Sequence, residues 1–289
     1  MTRLTQEEWY QLRAEHEQIV EPWIAPRLQR RSHHEKHPVD DFLFEYYPIS
    51  PAKLRDWHPG SGTSLVATAA DFETFPSSTY EFQNGEIVIR DTWLIKSSQA
   101  AIELVDFLSA TQKRPARNGC FGLHEWAMVL GAQDVRHESW PLRLSQEEIR
   151  KTIGEVGLRC THFDAFRFFK PVAAPLNPLQ LTRINQIDVE QPGCLHANMD
   201  LYKHAQRFAP VIGSSLVRDA FVLAKDIRSV DMQVAPYDLA DLGVIPIPVE
   251  TESGRIQFAE LQAGFAQRAY SLRAELISAL KPMTICAAN

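Results

Sequence analysis

The chain has 289 residues, 45% of them hydrophobic and 23% charged, with a formal net charge of -6. This is long enough for a full core and too ordinary in composition for a disordered chain, and its negative balance does not support nucleic acid as a partner, which needs a basic face. Met1 to Trp9 lacks the apolar core of a signal peptide, no window approaches the roughly 20 apolar residues of a membrane span, and the cysteines at 120, 160, 194 and 286 form no C-x-x-C pair; a cytoplasmic protein with no membrane partner is expected.

Thr5-Gln-Glu-Glu8 is a capping box and predicts a helix to about Arg30, with Trp9, Leu12, His16, Val20 and Trp23 on one face. Val39 to Tyr46 and Pro51 to Trp57 read as short helices separated by Tyr-Pro-Ile-Ser-Pro. Ser64 to Thr68 is β-like, and Thr79 to Gln83 with Glu86 to Arg90 reads as a hairpin about Asn84-Gly85, the dipeptide that two-residue hairpin turns prefer. Gln99 to Ala110 is helical, and Lys113 to Asn118 is a basic loop. Ser145-Gln-Glu-Glu148 is a second capping box opening a helix to about Gly154. Helices are expected over Gln180 to Gln191, Leu195 to Phe208, Ser214 to Asp231 and Ala259 to Leu280. Gly243 to Glu250 and Arg255 to Phe258 read as a C-terminal hairpin before that long last helix. The expected fold is therefore mainly α (α+β): a helical core, a small antiparallel hairpin or meander, and one domain with a possible sub-lobe boundary near 171–178.

Three stretches place a histidine beside acidic and sulfur neighbours: Cys120-x-x-x-His124-Glu125, Cys160-x-His162-x-Asp164, and Cys194-x-His196-x-x-x-Asp200. Histidine is both the common metal ligand and the common general acid or base, and carboxylates complete a hard-metal site or tune the imidazole. These residues are either the ligands of a divalent iron, manganese or zinc ion or core histidines satisfied by their neighbours. His37 and Glu45, in His37-Pro-Val-Asp-Asp-Phe-Leu-Phe-Glu45, join His162, His196 and Asp200 as metal candidates. Glu125, His124, Asp164 and Glu190 are the catalytic candidates.

Arg183, Gln186 and Glu190, at i, i+3 and i+7, present a cation, an amide and a carboxylate on one helical face, suited to a planar ligand's edge or to an interhelical seam. Trp126 and Phe163 belong to an aromatic set, with Tyr202, that either fills the core or stacks a base. Tyr202 and Lys203 complete the binding candidates with Arg183, Gln186, Trp126 and Phe163. Asp219, Asp226 and Asp231, mixed with Arg218, Lys225 and Arg228, read as an exposed charged face. Walker, G-x-G-x-x-G, G-x-S-x-G, H-E-x-x-H and kinase signatures are absent.

The peptides Lys36-His-Pro-Val-Asp-Asp-Phe-Leu-Phe-Glu-Tyr-Tyr47, Gly119-Cys-Phe-Gly-Leu-His-Glu-Trp-Ala-Met128, His162-Phe-Asp-Ala-Phe-Arg-Phe-Phe169 and Glu190-Gln-Pro-Gly-Cys-Leu-His-Ala-Asn-Met-Asp-Leu-Tyr-Lys203 resemble a bacterial, largely actinobacterial family labelled 3-methyladenine DNA glycosylase. The resemblance covers about residues 35 to 280. It implies DNA repair by hydrolytic release of an alkylated purine: the damaged DNA base is flipped out and stacked on Trp126 or Phe163. Glu125, Asp164 or Glu190 would then support the developing oxocarbenium or activate water. The helix-hairpin-helix glycine loop with its following aspartate is not in the sequence. Three readings are thus expected: a glycosylase with a basic cleft at Arg27 to Lys36 or Lys113 to Arg117; a helical His/carboxylate metal-dependent enzyme, similar to a non-heme iron oxidase, acting on a small molecule; or a non-catalytic binding protein whose polar groups satisfy one another in the core.

Overall fold

The computed structural model describes residues 2–131 and 140–285, so that Cys286 lies outside the described residues. Among the described residues are thirteen α-helices and a four-stranded mixed sheet, and the fold is mainly α with some β. No helix among them is long and apolar enough to cross a membrane. The chain divides into two compact units: Met1–Ser109 with Leu201–Val222 and Ser271–Asn289, and Ala110–Asp200 with Leu223–Tyr270. Each boundary falls inside a helix, and residues 171–178 lie within the second unit.

The first unit begins with β1 (Thr2–Leu4), α1 (Gln6–Ser32), α2 (Phe42–Tyr46), α3 (Pro51–Arg55), β2 (Thr63–Val66), α4 (Ala69–Phe72), β3 (Tyr80–Gln83) and β4 (Glu86–Ile89). Thr5 caps α1 as its capping box requires: its hydroxyl accepts from Glu8 N, and the Glu8 carboxylate accepts from Thr5 N at 2.8 Å. The buried stripe of α1 is Trp9, His16, Val20 and Ile24, while Leu12 stays exposed. Strand order is β1-β2-β4-β3, with β1 parallel to β2 and the other pairs antiparallel. The register lines up Leu4, Leu65, Ile87 and Phe82 across one face, and this apolar row meets Trp9, Phe75 and Tyr80. Trp9 also donates its indole N–H to the Val66 carbonyl at 2.9 Å, which pins α1 to the sheet. Asn84 and Gly85 both take positive φ, 51° and 78°, as a turn of this hand demands.

A helix α5 (Asp91–Lys113) runs from the first unit into the second, which holds α6 (Leu123–Val129), α7 (Gln146–Val156), α8 (Phe163–Phe166) and α9 (Gln186–Val189). Three later helices carry the chain across the remaining boundaries: α10 (Leu195–Arg207), α12 (Ser214–Val234) and α13 (Glu252–Ile285), with the short α11 (Ala209–Ile212) in the first unit. Ser145 caps α7, whose buried Ile149, Thr152 and Ile153 lie on one face, and α6 and α7 are in contact.

Two expected elements are corrected. Residues 243–250 and 255–258 do not form a hairpin: Pro246 and Pro248 remove two donors a ladder would need, and Arg255 to Phe258 are the opening turns of α13. The helix expected over 180–191 shrinks to α9, because Thr182 and Asn185 close a local turn through the Asn185 side chain, which accepts from Thr182 N at 2.8 Å.

Candidate metal centre

All three histidine stretches lie in the second unit, and the fold brings them together. The loops before α6 and α10 are stitched by one side chain. The Gln191 amide oxygen accepts from Arg117 N at 2.9 Å and from Gly193 N at 2.7 Å, and its nitrogen donates to the Arg117 carbonyl. At Gly193 a Cβ would come within 2.6 Å of Asn118 and 2.8 Å of Arg117 N, so only glycine allows this approach. Gln262 of α13 ties the same loops, donating to the Gly193 carbonyl at 2.5 Å and to Cys120 Sγ at 3.2 Å.

The turn into α6 is left-handed at both Phe121 and Gly122, with φ of 46° and 67°. It aims Cys120 and His124 into a cavity of about 20 Å3 also lined by Cys160, Cys194, His196 and Phe169. A buried water needs roughly 10–15 Å3, so the space suits one water or one small ion.

His124, His196 and Asp231 each bring a ligand atom within 4.8 Å of the others, and all three are buried. The His124 and His196 rings meet edge to face at 4.4 Å. His124 Nε2 lies 3.3 Å from Asp231 Oδ1, yet neither atom completes a hydrogen bond. The other oxygen of Asp231 is held by Arg228, which donates from one turn earlier on α12 at 3.0 Å and reaches Glu125 Oε1 at 3.5 Å. Arg228 therefore fixes the carboxylate and leaves Oδ1 directed at the imidazole.

The electrostatics follow from this crowding. Burial, the largest single influence, would lower His124, but Asp231 and Glu125 together outweigh it and the imidazole is raised above its ordinary value. Burial, helped by the His124 charge, holds His196 well below it, so that ring is neutral. Burial would raise Asp231, but His124, His196 and Arg228 together keep it below the usual carboxylate range. Burial also pushes the Cys160 thiol up to about 12 and raises Cys120 and Cys194, which disfavours a free thiolate nucleophile.

Beside this group stands a second one, His162, Asp164 and Asp200, again buried with ligand atoms within 4.8 Å of one another. The His162 and His196 rings stack at 5.3 Å. His162 Nδ1 is 3.1 Å from Glu190 Oε2, which also accepts from the Gln186 amide at 3.1 Å. Arg183 donates to both oxygens of Asp164, at 2.5 and 3.1 Å, and to Gln186 at 2.8 Å. Arg183, Gln186 and Glu190 thus meet as their spacing suggests, though through a turn and the short α9 rather than along one long helix.

The remaining candidates lie apart from these groups. His37 and Glu45 belong to the first unit, where His37 Nδ1 accepts from Asp40 N at 3.0 Å and Glu45 pairs with Arg27 at 3.2 Å. Tyr202 is buried there, and Lys203 sits over the Tyr47 ring at 5.9 Å. Trp126 is fully buried in the second unit and donates to the Val234 carbonyl. The basic stretch 27–36 is partly neutralised, because the buried Asp41 accepts from Arg27 at 3.1 Å and from Arg30 at 2.5 Å.

One functional pair escaped the sequence reading. Arg228 and Asp231 are 1% and 0% exposed rather than part of an open charged face. They extend the buried stripe Val217, Ala220, Phe221, Ala224 and Ile227, whereas Asp219 and Lys225 fall on the exposed side, and that periodicity was the available signal. Comparison of the chain with protein-family models, with curated proteins and with solved structures finds no match.

Proposed function

We propose that this chain is a metal-dependent enzyme acting on a small molecule, with a divalent transition cation held by His124, His196 and Asp231. The observation that carries the reading is the pair of buried, opposed atoms His124 Nε2 and Asp231 Oδ1, 3.3 Å apart and without hydrogen bonds. Two metal–ligand bonds of about 2.1 Å span at most about 4.2 Å, so one ion can serve both atoms. Two imidazoles and one carboxylate are the donor set of open non-heme iron sites and also suit zinc or manganese. Such an ion would act as a Lewis acid and lower the pKa of a bound water.

The protein's own residues supply the rest. Arg228 positions Asp231, the neutral His196 offers a lone pair without first losing a proton, and the cavity beside the histidines has room for a water or a reacting atom. The exposed Arg159 at the cavity edge would meet an anionic substituent of the substrate. Free thiols at Cys120, Cys160 and Cys194 fit a reducing, cytoplasmic setting. Release of 3-methyladenine, which the family resemblance implies, is less well supported, because the faces of Trp126 and Phe163 that would stack a base carry the guanidinium groups of Arg143 and Arg183.

The test is the metal content of whole protein purified without chelator, beside Asp231→Asn and His196→Ala variants whose folding is checked by circular dichroism. Bound iron, manganese or zinc that is lost in folded variants is expected. Metal-free protein that stays so when dialysed against each ion, and that releases base from alkylated DNA, would overturn the reading in favour of the glycosylase.

A further inference from the structure

We propose that the substrate of this centre is a small carboxylic acid, whose carboxylate is received by Arg159 and Thr161 at the cavity beside His124 and His196; the inference rests on the metal-centre reading and names what that centre acts on. Its first support is the charge of the cavity wall. Arg159 is the one lysine or arginine among the described residues lining it, and no aspartate or glutamate among them does. The buried carboxylates Glu125, Asp164, Glu190, Asp200 and Asp231 all stay out of the lining. In a chain of net charge -6, this opening therefore offers an anion one cation and no facing carboxylate.

The donors suit a carboxylate. Thr161 is 7% exposed and lines the cavity, yet its hydroxyl has no hydrogen-bond partner among the described residues. A buried hydroxyl left unpaired is costly, and here the missing acceptor is one that the chain does not supply. Arg159 is exposed and has no ion pair among the described residues. Its guanidinium lies against Gly119, where a Cβ would stand 3.1 Å from Nη1 and 3.6 Å from Cδ, so glycine leaves the planar fork its space. A guanidinium meets a carboxylate through two parallel N–H···O bonds, and a threonine hydroxyl adds a third donor.

The size of the cavity limits the acid. About 20 Å3 holds one water-sized group, so a single small group of the substrate enters toward His196 while its carboxylate stays at the edge with Arg159. Leu123, Leu158 and Phe169 complete the wall and suit a short aliphatic stem. A phosphate monoester brings a second negative charge, for which the wall has no further lysine or arginine.

Saturation-transfer NMR with propanoate, on the whole chain both stripped with chelator and dialysed against Zn2+, tests the proposal. Saturable binding of propanoate is expected, with the uncharged propanamide weaker. Arg159→Met should weaken propanoate about 10–100-fold and Thr161→Val about 10-fold, because each removes hydrogen bonding to a charged group. Arg159 is exposed and valine matches threonine in size, so both variants should keep the wild-type circular dichroism. Propanoate binding by neither form of the chain, equal binding of propanamide, indifference to both variants, or tighter binding of inorganic phosphate by the stripped chain would each overturn the acid site. Zinc counted on the same samples keeps the two readings apart. Zinc bound without propanoate would overturn this inference alone, whereas propanoate bound without zinc, and lost in the variants, would uphold the acid site and overturn the metal centre.

Discussion

Replacing Arg228 by methionine tests the electrostatic logic of the centre directly. Its guanidinium, 1% exposed, lies 3.0 Å from Asp231 Oδ2 and 3.5 Å from Glu125 Oε1, both on carboxylates exposed by 5% or less. Removing one partner of a buried ion pair costs about 3–5 kcal/mol, because the remaining charge is left uncompensated. With a urea dependence of about 3 kcal/mol per molar, the unfolding midpoint of the chelated protein should fall by about 1–1.7 M. A divalent ion at His124 and Asp231 would restore positive charge beside the same carboxylate. At a hundred times its Kd it should return about 2.7 kcal/mol, so much of the loss is recovered when Mn2+ or Zn2+ is added. An Arg228→Met/Asp231→Asn double variant should be less destabilised than Arg228→Met alone, since neutral groups of similar size replace most of the pair. A midpoint within about 0.3 M of wild type for the single variant would refute the claim that Arg228 neutralises this site.

Other consequences can be measured in the same way. Gly122→Ala forces a left-handed φ of 67° on a side chain whose Cβ would meet Val234 Cγ2 at 2.3 Å. Backbone strain of about 1–2 kcal/mol and overpacking of about 1–3 kcal/mol should lower stability by about 2–5 kcal/mol in urea melts, and the shifted α6 should release metal from His124. Asp41→Ala removes the acceptor of Arg27, Arg30 and His37 N, and a loss of about 3 kcal/mol or more is expected by the same melts. Burial holds His58 down to about 4, while its Nδ1 accepts from the Tyr80 hydroxyl at 2.7 Å. The folded state therefore resists protonation at that ring, so its contribution is intact above pH 6.5 and is lost as the pH falls toward 4. A shift of that size corresponds to about 3 kcal/mol, and an NMR titration midpoint of His58 near 6.5 would refute it.

The parts of the fold that were legible are those fixed by rules acting over a few residues. Thr5 with Glu8 and Ser145 with Glu148 each satisfy their own helix start, and Asn84-Gly85 supplies two consecutive left-handed residues, so no distant partner was needed to place α1, α7 or the hairpin. Strand β1 was not legible, because its three residues become a strand only by pairing in parallel with Thr63 to Leu65, some sixty positions away. The 243–250 segment misled for the opposite reason. Its alternating Val, Ile and Val imitate a strand, while Ile247 N instead donates to the Gln233 carbonyl at 2.8 Å, so the local pattern served a tertiary contact.

The candidate site divides along the same line. Cys120 with His124, Cys160 with His162 and Cys194 with His196 each announced a polar group set in apolar surroundings, and these residues now line or adjoin one cavity. His37 and Glu45 carried the same residue types, yet His37 closes a turn with Asp40 and Glu45 answers Arg27. Residue type alone could not separate them, because a ligand is defined by which atoms it faces and not by its neighbours in sequence. Asp231 makes the point from the other side. With Arg228 at i−3 it has the look of a surface ion pair, worth little when exposed. Once Val217, Ala220, Ala224 and Ile227 turn that face inward, the same two residues become a buried charge pair. The unhydrogen-bonded oxygen of that pair then faces a histidine supplied by a helix more than a hundred residues earlier. The periodic stripe foretold the burial, but only the closure of α6 against α12 around the left-handed Phe121-Gly122 turn determines which imidazole that oxygen meets.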